Sequence, residues 1–243
     1  MPEKPRIQEP FITRDTGTLI LLMGQTGAGK SHFINVAAGR VLATVNDNQT
    51  SMDPEINSFV VRNFNKRSGP SDLVLVDTPG FDHIYLSDSD ILKLIAEWLY
   101  TSCSLDVSFG GVVYLHDITQ DRVAKHWPMD YLKSPEPAKH LLLTTVKWDR
   151  DSTGTESYTA RENELRENVW RRVLAGGARI CQFRNTRDSA WEVINNLLRL
   201  KPLELHMFEQ ELNRLSGHAI RGTAKPPAKK KGIFAKLFGF WRK

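Results

Sequence analysis

Residues 24–31 read Gly24-Gln25-Thr26-Gly27-Ala28-Gly29-Lys30-Ser31, which matches the phosphate-binding pattern G-x-x-x-x-G-K-[ST]. The apolar run Leu19–Met23 precedes this stretch, and a helix is predicted from His32 to Ala38. A phosphate-binding loop needs a buried strand to hold it and a helix N-terminus whose N–H groups face anionic oxygens. We therefore predict a nucleoside triphosphate site and count Gly24 to His32 as its binding residues.

Two short patterns predict the phosphate and metal chemistry of this site. We expect Lys30 to reach the β- and γ-phosphates and the Ser31 hydroxyl to ligate Mg²⁺. A second apolar strand, Leu73–Val76, ends in Asp77-Thr78-Pro79-Gly80. This pattern places a carboxylate near the metal and a glycine N–H near the γ-phosphate in P-loop proteins. Lys30, Asp77 and Gly80 therefore form the predicted catalytic set.

A polar, Asn-rich stretch at 45–53 lies between these two patterns and contains Thr50. GTPases use a threonine in such a loop to sense the γ-phosphate through Mg²⁺. We therefore add Thr50 to the catalytic set and to the metal ligands, beside Ser31 and Asp77. Thr44 and Ser51 are the alternatives.

A later pattern bears on the identity of the base. The apolar run Leu141–Thr145 leads into Val146-Lys147-Trp148-Asp149, which is similar to the guanine-reading motif Asn-Lys-x-Asp with Val in place of Asn. Guanine presents two adjacent donors that one carboxylate can accept, and adenine does not, so Asp149 would select guanine. Lys147 can lay its alkyl stem along the purine. Because Val146 replaces the motif asparagine, two alternatives stay open. Lys147-Trp148-Asp149 can be a solvated strand end without a role in binding, or the protein can be an ATPase.

Two further strand candidates complete the predicted sheet. Val112–Leu115 carries no evident chemistry, whereas Ala178–Phe183 is followed by Arg184-Asn185-Thr186. We expect Asn185 to contact the base; otherwise it is a residue at the entry of the next helix.

Strands that alternate with amphipathic helices predict an α/β fold of the P-loop NTPase class. We expect a three-layer sandwich with a mostly parallel central sheet, right-handed crossovers and helices on both faces. The predicted helices are His32–Ala38, Asp88–Tyr100, Thr159–Leu174, Ser189–Leu200 and Leu203–Leu215.

The runs Gly24–Asn35, Asp77–Asp82 and Thr144–Asp149 together resemble the septin-like GTPases, which include immunity-associated and chloroplast import receptor GTPases. Fungal G-domain proteins of that branch are the most similar, on strings such as Tyr114-Leu115-His116-Asp117-Ile118 and Ser189-Ala190-Trp191. The resemblance spans roughly residues 17 to 200. It implies GTP or GDP with Mg²⁺ as ligands, and homodimers that form across the nucleotide face.

Phe81 occupies the position where Ras-like GTPases carry the Gln that orients the attacking water. A phenyl ring has no polar group for this task, so we expect slow intrinsic hydrolysis. A residue from elsewhere, including a partner chain, can complete the site, with His83, Arg122 and Arg161 as candidates. The alternative is a scaffold that holds nucleotide and rarely turns it over.

Charge divides the chain into a body and a tail. The net charge is +5, yet the residues from Gly217 onward include eight Lys or Arg and no acid, which leaves 25 basic and 28 acidic residues in 1–216. We expect an N-terminal segment 1–16, a G domain 17–216 and a tail 217–243. The acidic body argues against a nucleic-acid-binding face.

Cysteine content and the N-terminal sequence bear on the compartment. Cys103 and Cys181 are too few for a disulfide framework, and residues 1–16 lack the apolar run of a signal peptide. We therefore expect a cytoplasmic protein.

The tail combines a lysine cluster with an apolar stripe in residues 229–243. Ile233, Phe234, Leu237, Phe238 and Trp241 share one face if this segment is helical. The segment is shorter than the roughly 20 apolar residues that span a bilayer. Such a helix is typical of peripheral binding to anionic membranes. A disordered basic tail, a partner-docking peptide and a nucleic-acid arm are the alternatives.

Removal of residues 226–243 tests the membrane prediction. We expect the truncated protein to lose co-sedimentation with phosphatidylserine-rich liposomes while it still binds nucleotide, because the lysines and the apolar stripe are both gone. Leu237→Glu together with Phe238→Glu should have the same effect, since carboxylates enter the acyl boundary only at high cost. Full-length protein that stays in the supernatant at low salt would contradict the prediction.

Overall fold

The structure is a computed structural model that describes residues 11–45, 54–62, 72–120, 134–150 and 155–217. Several predictions from the sequence fall outside these ranges. They concern Thr50, Ser51, Arg122 and the tail segment 229–243.

Six strands and seven α-helices form the described part of the chain. The strands are β1 (Thr18–Gly24), β2 (Asn57–Val61), β3 (Leu73–Asp77), β4 (Ser108–Asp117), β5 (Leu141–Val146) and β6 (Arg179–Gln182). The helices are α1 (Lys30–Ala38), α2 (Asp88–Ser102), α3 (Pro135–Lys139), α4 (Thr155–Glu164), α5 (Arg171–Ala175), α6 (Arg187–Leu198) and α7 (Leu205–Leu215). A 3₁₀ turn spans Trp148–Arg150, and a π-helical turn spans Leu165–Val169.

The strands form one sheet in the order β2-β3-β1-β4-β5-β6. All neighbours run parallel except β2, which pairs antiparallel with β3. All seven residues of β1 are buried, as expected of a central strand covered on both faces. The predicted α/β fold with a mostly parallel sheet between two helical layers is confirmed.

Alternate residues of β1 enter two separate cores. Leu19 and Leu21 belong to the core on the face where α2 and α7 pack against each other. Ile20 and Leu22 belong to the core on the opposite face, where α1 packs against α6. Because the strands are parallel, their carboxyl ends meet at one edge of the sheet, and ligands of open α/β sheets bind at that edge.

The helix predicted from Thr159 to Leu174 is divided in the structure. The N–H of Trp170 donates to the carbonyl of Leu165 at 2.7 Å, five residues back, and this widened turn separates α4 from α5. The turn buries Trp170, whose ring meets the edge of His116 at 5.5 Å between centroids. Burial lowers the pKa of His116 to about 4, so this histidine is neutral at physiological pH.

The edge strand β2 was not predicted. Its burial is partial, because four of its five residues are half-buried or exposed and only Val61 is buried. Within the described ranges, no helix has both the length and the apolar character needed to cross a membrane.

Candidate nucleotide site

The glycine-rich stretch forms a loop between β1 and α1, as the sequence predicted. Gly27 and Gly29 take left-handed backbone conformations, with φ of 79° and 94°. Gly29 is the residue before α1, and its carbonyl accepts the N–H of Phe33 at 2.8 Å. The N-terminal N–H groups of α1 therefore face the concave side of the loop, where an anion can bind.

The segment after Asp77 lies directly against this loop. The N–H of Phe81 donates to the carbonyl of Gly24, and the N–H of Thr26 donates to the carbonyl of Phe81, both at 3.0 Å. A Cβ atom on Gly80 would lie 2.4 Å from the backbone nitrogen of Thr26, so only glycine fits there without a shift. The Nε2 of Gln25 also donates to the Asp82 carboxylate at 2.6 Å.

Lys30 is buried at the base of the loop. Its ammonium donates to the carbonyls of Gln25 at 3.0 Å and Gly24 at 3.3 Å. Burial lowers the pKa of Lys30 to about 8, and the nearby Asp77 carboxylate offsets only part of this effect. A buried ammonium with this unfavourable solvation is suited to an anionic ligand, because phosphate oxygens would supply the missing stabilisation.

Ser31 and Asp77 meet at the carboxyl edge of the sheet. The Ser31 hydroxyl donates to the Asp77 carboxylate at 2.5 Å. Burial raises the pKa of Asp77, while the Ser31 hydrogen bond and the Lys30 charge act in the opposite direction. The two oxygens fit Mg²⁺, which uses one or two carboxylates together with phosphate oxygens and water. No group of three or more His, Cys, Asp or Glu metal ligands occurs among the described residues.

The predicted base-reading loop follows β5. The backbone of Lys147 is left-handed, with φ of 66°, and its ammonium donates to the Asp117 carboxylate at 2.5 Å. Burial alone would raise the pKa of Asp117, but hydrogen bonds from Lys147 and Thr119 outweigh it and hold this pKa below its usual range. Asp117 ends β4, to which sequence reasoning assigned no chemistry. Asp117 closely follows the apolar run Val112–Leu115, and this position could have identified it as a candidate site residue.

A buried carboxylate supports the same loop from behind. Glu162 accepts hydrogen bonds from the Thr145 hydroxyl at 2.7 Å and from the Gln182 amide at 2.9 Å. The hydroxyl of Thr145 accepts the indole N–H of Trp148 at 3.0 Å. Glu162 thus links α4, β5, β6 and the loop, a role that the sequence analysis did not assign to it.

Asp149, Asn185 and His32 lie together on the exposed side of the loop. The Asn185 amide nitrogen donates to the Asp149 carboxylate at 3.1 Å, and the Asn185 oxygen lies 2.6 Å from the His32 Nε2. The residues predicted to bind phosphate, metal and base therefore occupy the carboxyl edge of one sheet. Of the predicted metal ligands, Thr50 is outside the described ranges, and its alternative Thr44 is exposed.

Comparison with known proteins agrees with this arrangement. The family described as "50S ribosome-binding GTPase" matches residues 19–146, which is more than half of the 243 residues. The chain belongs to this GTPase family. No protein among the curated sequences matches it significantly.

Several solved GTPases share the fold. Toc33 from Arabidopsis thaliana in complex with GDP and Mg²⁺ matches with a TM-score of 0.56 at 14% identity, over 77% of this chain and 86% of that chain. Toc33 with Mg²⁺ and GMPPNP gives a TM-score of 0.55 at 15% identity, over 77% and 88%. A variant of Era from Aquifex aeolicus bound to GDP·AlF4⁻ gives 0.51 at 14% identity, over 77% and 57%. At these identities the matches establish the fold.

Lys30→Met tests the burial and the phosphate contact of this lysine. In the nucleotide-free protein the folded state binds fewer protons than the unfolded state between the lowered pKa of about 8 and the ordinary value of 10.5. The free energy of unfolding of the wild type therefore rises with pH in that window. Lys30→Met has no titrating group at this position and serves as the reference. In urea titrations, we expect the free energy of unfolding of the wild type to rise by about 2 kcal/mol relative to that of the variant between pH 7.5 and 9.5.

The same variant should lose tight nucleotide binding at pH 7.5 and remain folded, because the change removes a phosphate contact and keeps most of the side-chain volume. Lys201→Met is the matched control, since Lys201 is exposed. If the difference in free energy of unfolding between the wild type and Lys30→Met does not change with pH, the lowered pKa of buried Lys30 is contradicted. If Lys30→Met binds nucleotide as tightly as the wild type, the predicted phosphate contact is contradicted.

Proposed function

We propose that this protein is a guanine-nucleotide switch with a slow intrinsic rate of GTP hydrolysis, which a second copy of the chain accelerates. The observation that carries the proposal is the meeting of Ser31 and Asp77 at 2.5 Å beside the buried ammonium of Lys30. A cation, a hydroxyl and a carboxylate at one helix N-terminus are the groups that hold a Mg²⁺-nucleotide. Membership of a GTPase family supports GTP and GDP as the ligands.

Each residue has a defined task in this proposal. The Lys30 ammonium would exchange its hydrogen bonds to the carbonyls of Gly24 and Gln25 for contacts with the β- and γ-phosphate oxygens. Ser31 and Asp77 hold Mg²⁺, which neutralises charge on the phosphates. The N–H of Gly80 would face the γ-phosphate, since Gly80 lies against Thr26 of the phosphate-binding loop. Loss of the γ-phosphate would end the contacts that the Gly80 N–H and Thr50 make with the nucleotide, which is the switching step.

Slow hydrolysis follows from the position of Phe81. Its side chain is 2% exposed and stacks on Tyr114 at 6.2 Å between ring centroids. The ring therefore points into the core and cannot orient a water molecule at the phosphates. Within the chain, Arg161 donates to the carbonyls of Ile118 and Thr119, which argues against a catalytic role for it. His83 remains the candidate in the described part of the chain.

Completion of the site by a partner chain explains how such a protein could still turn over. Structural neighbours support the choice of ligands, since Toc33 was solved with Mg²⁺ and either GDP or GMPPNP. A Toc33 variant described as dimerization deficient gives a TM-score of 0.52 at 15% identity, over 83% of this chain and 85% of that chain. We accordingly propose that the chain is a septin-like GTPase of the branch that includes the import receptors, nearest to the fungal G-domain proteins. Its tail would tether it peripherally to membranes from the cytoplasm.

Recognition of guanine rests on Asp149 in this proposal. We expect the wild type to bind GTP far more tightly than ATP, and Asp149→Asn to weaken GTP binding by about ten- to a hundredfold, the value of a hydrogen bond to a charged group. The variant should gain affinity for xanthosine triphosphate, whose C2 carbonyl accepts a hydrogen bond. Asp188→Asn, at an exposed position at the start of α6, is the control. Equal affinity of the wild type for ATP and GTP would favour the ATPase alternative.

Turnover at increasing protein concentration separates the switch from a nucleotide-holding scaffold. We expect the rate of phosphate release per molecule to rise with concentration, because the second copy supplies the group that Phe81 cannot. Light scattering should report a monomer with GDP and a dimer with GMPPNP. A rate per molecule that is independent of concentration would contradict the dimer, and negligible turnover at every concentration would favour the scaffold.

A further inference from the structure

Asn185 joins two parts of the site that are far apart in the chain. It follows β6, whereas His32 lies in the first turn of α1, after the phosphate-binding loop, and Asp149 lies in the base loop after β5. The Asn185 side chain contacts both of them, at 2.6 Å to His32 and 3.1 Å to Asp149. A single amide therefore connects the phosphate side of the site to its base side.

Only one assignment of donors and acceptors satisfies both hydrogen bonds of Asn185. Asp149 as a carboxylate can only accept, so Asn185 must present its NH₂ group to Asp149 and its oxygen to His32. The oxygen then requires a proton on the His32 Nε2. His32 thus donates to Asn185, and Asn185 donates to Asp149.

The backbone at Asn185 fixes the position of this amide. Its φ of 57° is left-handed, a conformation that asparagine adopts more readily than most residues. The next residue, Thr186, caps α6 through a reciprocal pair of hydrogen bonds with Ser189. The short stretch between β6 and α6 is therefore held at its α6 end, which keeps the backbone of Asn185 close to His32 and Asp149.

The carboxylate of Asp149 depends on this amide for its orientation. The backbone of its loop is anchored by Lys147 to Asp117 and by Trp148 to Thr145, but neither contact reaches the Asp149 side chain. Within the described ranges, the hydrogen bond that orients the Asp149 carboxylate comes from Asn185. Since Asp149 is exposed, water competes for it unless the side chain is held.

We propose that His32 and Asn185 are positioning residues that form a relay to Asp149 and so couple the phosphate-binding helix to recognition of the base. This inference rests on the proposed guanine-nucleotide function. His32 holds the Asn185 amide in the orientation that donates to Asp149, and Asp149 then presents its free oxygen lone pairs to the guanine donors. His32 contributes to base selection without contact with the base.

The affinity ratio of GDP to inosine diphosphate tests the relay, because inosine lacks the exocyclic amine that Asp149 would bind. We expect wild type to prefer GDP, and His32→Ala and Asn185→Ala each to lower the ratio by about three- to tenfold, as for the loss of one hydrogen bond. The double variant should match Asn185→Ala alone, since His32 acts only through Asn185. His206→Ala and Asn163→Ala, at exposed positions on α7 and α4, should leave the ratio unchanged.

The outcomes separate failure of the relay from failure of the proposed function. If His32→Ala weakens both nucleotides equally, or if the two single effects add in the double variant, the relay is wrong while guanine binding stands. If the wild type binds ADP as tightly as GDP, the guanine-nucleotide function is wrong and the relay falls with it.

Discussion

The close approach of Gly80 to the phosphate-binding loop is the constraint on which the site depends. Strands β1 and β3 are parallel neighbours, and Leu22 stands opposite Asp77, so the chain leaves both strands at the same edge. Two backbone hydrogen bonds then pair Phe81 with Gly24 and Thr26. This pairing fixes the distance between the Asp77 segment and the loop, and the contact between Asp77 and Ser31 follows from it.

The same pairing determines where the side chain of Phe81 lies. With its N–H and carbonyl both bound to the loop, Phe81 has a fixed backbone and directs its ring into the core against Tyr114. The ring stabilises the packing that keeps Gly80 in place, because it buries apolar area at this edge. A polar group at that position would face the core instead of the phosphates. The backbone pairing that holds Gly80 against the phosphate-binding loop is therefore also what keeps a water-orienting group from this position.

Local sequence predicted the parts of the fold and site that depend on local chemistry. Four strands contain a continuous apolar run, β6 has apolar residues between Arg179 and Gln182, and the loop from Gly24 to Ser31 carries its own turn residues, so these parts could be identified. The half-exposed strand β2 lacks such a run. The ion pair of Lys147 with Asp117 and the contacts of Glu162 join residues far apart in sequence, and only the packing of β4, β5 and α4 brings them together.

Val146 in place of the motif asparagine raised the strongest objection to a base-reading loop. In the structure Val146 is buried in the core that includes Leu142 and Phe183, and its carbonyl accepts the N–H of Ile118. An apolar side chain is suited to that environment, where an unpaired amide would be costly. The side chains of Lys147 and Trp148 anchor the loop instead, through hydrogen bonds to Asp117 and Thr145. Neither of these hydrogen bonds involves the Asp149 carboxylate. The departure from the motif therefore changes how the loop is held, and it leaves the Asp149 carboxylate exposed at the edge where we propose that guanine binds.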